Sequence, residues 1–284
     1  MKIPFTKMHG TGNDFIVIDE FQKILVPERD KPKFVARISQ RHFGIGSDGV
    51  IFIQKSDKYD AKFSFYNPDG TRAEMCGNGM RCFAKYLYKK GLIRKEKIQV
   101  ETTAGLVVPE IFLEEGRVTK VRVDMGMPRV EFIAKEVEID GYSYKITSVN
   151  MGNPHAILFF DNIDEVDVLG MGKKVRHHKL FPRGTNVHFV QKTGENEFKI
   201  RTYERGVEGE TLACGTGICA SAVATVVNNY ANEKKPLTFH AKGGDLIIEL
   251  EIVNKNINKN IKIERVFMTG PAEEVFTGEV SVEL

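Results

Sequence analysis

The chain has 284 residues, enough for one large or two medium domains, and its 42% hydrophobic and 28% charged residues are the balance of a water-soluble globular protein. A formal net charge of +3 without long runs of one sign argues against nucleic acid as a main partner. Four cysteines do not make a disulfide scaffold at this length, Met1–Gly10 lacks the apolar core of a signal peptide, and no stretch approaches the roughly 18 apolar residues of a membrane span, so a cytoplasmic protein without a membrane partner is expected.

In chain order, Ile3 and Phe5, then Phe15-Ile16-Val17-Ile18, read as two strands around the turn-rich His9-Gly10-Thr11-Gly12-Asn13. Lys33–Ile38 reads as a short helix behind Asp30 and Pro32. Val50–Ile53 and Lys62–Tyr66 are strands, and Asn67-Pro68-Asp69-Gly70 has the residues of a β-turn. A helix is expected to open after Cys76, run to about Lys90 and stop at Gly91. Strands follow at Ile98–Thr103, Leu106–Leu113 and Val118–Val123.

From about Arg122 the grammar repeats. Gly12-Asn13-Asp14-Phe15-Ile16 is echoed by Gly152-Asn153-Pro154-His155-Ala156, and Gly46-Ser47-Asp48 by Gly184-Thr185-Asn186. Tyr66-Asn67 answers to Tyr203-Glu204 and Cys76 to Cys214, all at offsets between 137 and 140 residues. A nearly constant offset near half the chain is the mark of a tandem duplication. The expected fold is therefore α+β, with two similar pseudo-symmetric domains, 1–121 and 122–272. Each is read as a curved, mostly antiparallel sheet or partial barrel around a central helix, with the active site in the interdomain cleft. Asn254–Asn260 reads as a hairpin loop between Leu246–Ile252 and Ile261–Phe267, and the closing strand, about 273–284, is a candidate to return to the first domain.

The duplicated centre is Met75-Cys76-Gly77-Asn78-Gly79 and Ala213-Cys214-Gly215-Thr216-Gly217, each leading into helix-forming residues. A cysteine just before a helix meets unpaired N–H groups and the positive end of the dipole, which favour a thiolate. The glycines let a substrate carboxylate approach the same N–H groups. Two such ends facing one carbon suit inversion: one thiolate removes a proton from one face and the opposite thiol returns one to the other. That scheme requires no cofactor or metal. Cys82 and Cys219, deeper in the helices and without the glycine opening, read as small buried residues, and the Cys-x5-Cys and Cys-x4-Cys spacings do not match structural zinc sites.

Across nearly its whole length the chain resembles the diaminopimelate epimerase family. The matching stretches are Lys7–Phe15, Arg41–Gly49, Tyr66–Gly70, Met75–Cys82, Met151–His155, Arg183–Val187, and Tyr203–Gly206 followed by Gly209–Gly217. The resemblance implies a cofactor-independent epimerase that interconverts LL- and meso-2,6-diaminopimelate, in lysine and peptidoglycan precursor synthesis, in a cytoplasmic homodimer. It makes Cys76 and Cys214 the acid/base pair, and gives Gly77, Asn78, Gly215 and Thr216 the carboxylate at the reacting centre. Arg205 would take the distal carboxylate and Glu204 an ammonium, Asn13, Asn67, Asn153 and Asn186 would line the site, and His155 would orient its neighbours.

Two departures stand out: Gly49 replaces the Gln of many members, and Glu208 lengthens the loop Arg205–Thr211 by one residue. The rival within isomerases is a two-cysteine racemase or epimerase of another amino acid, of the proline or hydroxyproline type, which typically has His where this chain has Asn78. A thiol redox protein pairing Cys76 with Cys214 is the rival from another class.

Overall fold

Thr11 and Gly12 both take positive φ, 52° and 84°, which closes a two-residue hairpin whose twist suits the flanking strands. They join β1 (Lys2–Gly10) to β2 (Asn13–Asp19) at the start of the computed structural model, which describes residues 2–255 and 261–281. Helix α1 (Lys31–Ile38) follows, with Pro32 in its first turn, where no amide donor is needed. Next come β3 (Gly49–Gln54), β4 (Ala61–Tyr66), β5 (Arg72–Ala73), helix α2 (Gly77–Lys89), β6 (Val100–Thr102) and β7 (Gly105–Val107). The strand read as Leu106–Leu113 is two: Pro109, which cannot donate to a ladder, separates β7 from β8 (Glu110–Glu114), and β8 pairs antiparallel with β9 (Arg117–Asp124).

The second half runs β10 (Arg129–Ile139), β11 (Tyr142–Asn150), β12 (Pro154–Phe159), α3 (Val168–Arg176), β13 (Asn186–Lys192), β14 (Glu197–Glu204) and β15 (Gly209–Thr211). Helix α4 (Gly215–Val227), β16 (Leu237–Ala241), β17 (Gly244–Lys255) and β18 (Ile261–Gly270) complete it. Residues 256–260, within the stretch read as a hairpin loop, lie outside the described residues. Helix α3 was not legible in advance, because Gly170 and Gly172 dilute its apolar pattern. The last strand, β19 (Glu273–Ser281), pairs antiparallel with β1 from Lys2 opposite Ser281 to His9 opposite Glu273. The chain divides into two units, Met1–Val123 with Gly270–Leu284, and Asp124–Thr269.

Both units are α+β and share one topology. In the first, the order β1-β2-β3-β4-β6-β7 is antiparallel except where β2 meets β3 and β4 meets β6. In the second, β11-β12-β13-β14-β16-β17 repeats that order, with parallel steps at β12–β13 and β14–β16. Helices α1 and α3 occupy matching places in the chain, as do α2 and α4.

Each shared sheet is covered on both faces, so its strands read as continuous apolar runs. Val50 and Phe52 of β3 pack with Phe34, Val35 and Ile38 of α1, while α2 packs over β1, β2 and β3. Likewise Val187 and Phe189 of β13 pack towards Val168 and Val175 of α3, while Val190 joins Ile218, Ala222 and Val226 of α4. Helix α4 is apolar all round and buried over almost its whole length, as a central helix must be.

The ladders also correct the repeat by one residue. Gly49 pairs with Phe15 and Val50 with Tyr66; in the second unit Asn186 pairs with His155 and Val187 with Tyr203. The counterpart of Asn186 is therefore Gly49, not Asp48. The left-handed glycines Gly46 (φ 78°) and Gly184 (φ 70°) occupy matching loops, but the first loop holds one more residue before its strand.

Candidate active site

Cys76 and Cys214 are the N-cap residues of α2 and α4, both in extended backbone, with φ of −140° and −115°. The first turns close through Met80 N–H to the Cys76 carbonyl at 2.8 Å and Ile218 N–H to the Cys214 carbonyl at 2.9 Å. By helix geometry the N–H groups of Gly77 and Asn78, and of Gly215 and Thr216, have no acceptor within the helix and point out of its end. Gly79 N–H donates to Cys76 Sγ at 3.4 Å, a contact that favours the thiolate. Cys214 Sγ lies 3.7 Å from Thr216 Oγ1. Cys76 is partly exposed, whereas Cys214 is buried.

Around Cys76 the first unit builds a polar chain. Asn13 Oδ1 lies 3.9 Å from Cys76 Sγ and accepts from Asn78 Nδ2 at 3.2 Å. Asn78 Oδ1 accepts from Arg81 at 2.8 Å; fully buried Arg81 also donates to Thr11 Oγ1 at 3.1 Å and to the Pro271 carbonyl at 3.0 Å. The other end of Asn13 donates to Asp48 Oδ2 at 2.7 Å, and Arg41 bridges Asp48 (2.6 Å) and Asp14 (2.8 Å). Lys7 pairs with Asp14 as well. Burial works against the Asp14 carboxylate, but Arg41 and Lys7 together hold its pKa below the ordinary value. Asn67 stands apart from this chain, its side chain bonded to Thr71 Oγ1 at 3.0 Å within its own turn.

In the second unit, Asn153 Oδ1 lies 2.8 Å from His155 Nε2, and His155 Nδ1 lies 2.8 Å from His188 Nε2. His188 Nδ1 is in turn 2.9 Å from Thr202 Oγ1. Burial, then His188 and Arg205, push the His155 pKa well below 6.5, and burial pushes His188 down to about 3. Both rings are neutral at pH 7. Asn186 Nδ2 donates to the Pro154 carbonyl at 3.2 Å, and its Oδ1 accepts the Arg205 backbone N–H at 2.9 Å.

Glu204 ends β14 half-buried, and Arg205 begins the turn to β15. The additional loop residue Glu208 anchors this turn. It adopts φ 56°, accepts from Arg176 at 2.9 Å and 3.0 Å and from Gly206 N–H at 3.0 Å, and receives the Tyr203 hydroxyl at 3.3 Å. The Arg176 hydrogen bonds, with that of Gly206, hold its carboxyl down to about 2. The longer loop is thereby tied to α3 rather than loosened.

The sequence assigned no role to Arg81, Asp48, Arg41, His188, Thr202 or Arg176, although Arg41, Asp48 and Arg81 fall in stretches that carry the family resemblance. Arg81 also carried a local signal, a charge set between the apolar Met80 and Cys82. Cys82 and Cys219 are fully buried, and burial pushes the Cys82 thiol up to about 12. Among the described residues no group of three or more His, Cys, Asp or Glu side chains could hold a metal ion, and no helix is long and apolar enough to cross a membrane.

The diaminopimelate epimerase family model matches the chain twice, over residues 5–131 and 147–275. A diaminopimelate epimerase of Pelotomaculum thermopropionicum is 45% identical over 97% of this chain and 98% of its own length. One of Archaeoglobus fulgidus is 44% identical over 98% and 96%. In fold, the chain is similar to a phenazine biosynthesis protein of Bacillus anthracis (TM-score 0.76, 16% identity, 99% of this chain and 100% of that one). It is also similar to a probable proline racemase of Agrobacterium radiobacter (TM-score 0.73, 16% identity, 99% and 93%). With relatives above 40% identity over nearly the full length and both halves matched by one family model, the chain belongs to the diaminopimelate epimerase family of isomerases.

Proposed function

We propose that this chain is a cofactor-independent epimerase that interconverts LL- and meso-2,6-diaminopimelate by two-base proton transfer between Cys76 and Cys214. The observation that carries this reading is the matched pair of cysteine N-caps, extended in both units and opening the two helices that occupy matching places in the repeated topology. One cysteine, as thiolate, takes the α-hydrogen as a proton. The electron pair it leaves delocalises into the α-carboxylate, whose growing charge meets the N–H groups of Gly77, Asn78, Gly215 and Thr216. The other cysteine, as thiol, delivers its proton to the opposite face, so the pair ends with its protonation states exchanged.

Arg205 reads the distal carboxylate and Glu204 an ammonium, with Asn13, Asn67, Asn153 and Asn186 completing the lining and His155 supporting Asn153. Retention of a thiol and a thiolate fits a reducing cytoplasm, and the product fits lysine and peptidoglycan precursor synthesis; a homodimer belongs to the same reading. The test is incubation with LL-diaminopimelate in deuterated water, following meso product and α-deuterium together. Wild type should yield meso product carrying solvent deuterium at the inverted carbon. Cys76→Ala and Cys214→Ala should each nearly abolish epimerisation while keeping the fold. Near-normal turnover by either variant would overturn the two-base scheme.

A further inference from the structure

The repeated topology offers an internal control for the buried polar groups of the second unit. Ile51 and Phe65 face each other across β3 and β4, as His188 and Thr202 do across β13 and β14. Phe15 and His155 likewise hold matching places, opposite Gly49 and Asn186. Three apolar residues of the first unit, Phe15, Ile51 and Phe65, are thus replaced by His155, His188 and Thr202, all buried. The fold tolerates an apolar set here. Burying polar groups instead costs stability unless every one is bonded, and gains nothing over a packed apolar set. The replacement therefore calls for a reason outside packing.

The hydrogen bonds supply one. Asn153 Oδ1 can only accept, so His155 Nε2 carries the proton and its Nδ1 accepts. The neighbour of that Nδ1 is His188 Nε2, which must then donate, leaving His188 Nδ1 to accept from the Thr202 hydroxyl. Direction is fixed through all three links. At the far end, Asn153 keeps its oxygen occupied and turns its Nδ2 donor away from the histidine.

The His188 ring also lies against the start of α4. A Cβ at Gly217, in the first turn after Cys214, would overlap that ring, whereas the matching Gly79 is only in tight contact, 3.3 Å from Ile51.

We propose that His188, seated by Thr202, is a positioning residue for the active site: through His155 it holds the Asn153 carboxamide with its amino group presented as a donor to the substrate. This rests on the epimerase reading for what Asn153 binds, but the tautomer chain stands on geometry alone. The low pKa values that burial gives both rings agree with neutral links.

The test has two readouts. The first uses imidazole ¹⁵N shifts of the wild-type protein at neutral pH, which report which nitrogen bears the proton. His155 and His188 should both be protonated at Nε2; a proton on His155 Nδ1 would overturn the proposal whatever the enzyme's substrate. The second compares His188→Leu, which has no donor, with His188→Gln, whose amide can reach the position of Nε2. With LL-diaminopimelate, the Leu variant should raise KM on the order of tenfold, the loss of one well-made hydrogen bond, with kcat changed less. The Gln variant should recover most of that loss. Equal KM in the wild type and the Leu variant, or no recovery by Gln while both variants fold, would overturn the positioning role. Should the wild type not turn over diaminopimelate, the epimerase reading fails and the nitrogen shifts still decide the relay.

Discussion

Arg205 donates its backbone N–H to Asn186 and reaches the Arg183 carbonyl at 3.4 Å, so its guanidinium is anchored on one side only and retains donors for a ligand. A site built for a distal carboxylate rejects substrates that lack it, because its donors are left unpaired. Lysine and proline should therefore have kcat/KM lower than diaminopimelate by a factor on the order of 10⁴. Arg205→Ala should lower diaminopimelate turnover strongly without helping either rival, and Arg205→Lys should also be damaging, since a point charge lacks the two-pronged donor. Comparable wild-type turnover of lysine or proline would sink the diaminopimelate reading and leave the cysteine scheme standing. A second expectation concerns pH. A thiolate–thiol pair gives a bell-shaped kcat/KM profile with two apparent pKa values that belong to the pair. His155 and His188 titrate far below neutrality and should add no limb near pH 6.5. A flat profile from neutral to alkaline pH would contradict the pair.

Among the elements, the first turns of α2 and α4 hold matching glycines, Gly79 and Gly217, that can be ranked. Replacing a helical glycine by alanine gains at most about 1 kcal/mol from propensity alone, the interior value being an upper bound in a first turn. At Gly217 the added methyl would overlap the His188 ring, and overpacking of that kind costs about 1–3 kcal/mol. The clash outweighs the gain. At Gly79 the nearest atoms are the flexible tip of Ile51 at 3.3 Å and Phe63 at 3.4 Å, which can yield. Gly217→Ala should thus be the more destabilising of the two in urea titration, and should lower kcat by shifting the helix end beside Cys214. Equal midpoints for the two variants would show that the ring moves aside freely.

For the molecule as a whole, the buried histidines set the response to acid. Their folded pKa values lie below the unfolded value of about 6.5, so below that pH the unfolded chain binds more protons than the native one. Stability is fully present above pH 6.5 and falls as pH drops towards the folded values, about 3 for His188. Each histidine contributes a slope of about 1.4 kcal/mol per pH unit in that window. Urea midpoints measured between pH 7.5 and 5 should decline accordingly, and His188→Leu should show the shallower decline. Below about pH 4.5 the depressed carboxyls of Asp14, Glu208 and Glu210 add to the loss.

The sequence by itself determined the duplication, the two cysteine–glycine helix starts and most strands, because these depend on contacts local in the chain. Capping needs only neighbouring residues, and apolar runs mark strands covered on both faces. Glu208 illustrates the limit of local reading: by count it lengthens a loop, yet Arg176, 32 residues earlier, turns it into an anchor. The one-residue offset between Asp48 and Gly49 was likewise beyond a match of motifs, since ladder hydrogen bonds, not glycine positions, set the register. Arg81 and His188 became meaningful only when strands far apart in sequence lay side by side. A buried donor is defined by the acceptor it meets, and the acceptors here, Thr11, Pro271 and His155, are brought to it by the tertiary fold alone, as is the Thr202 hydroxyl that donates to His188.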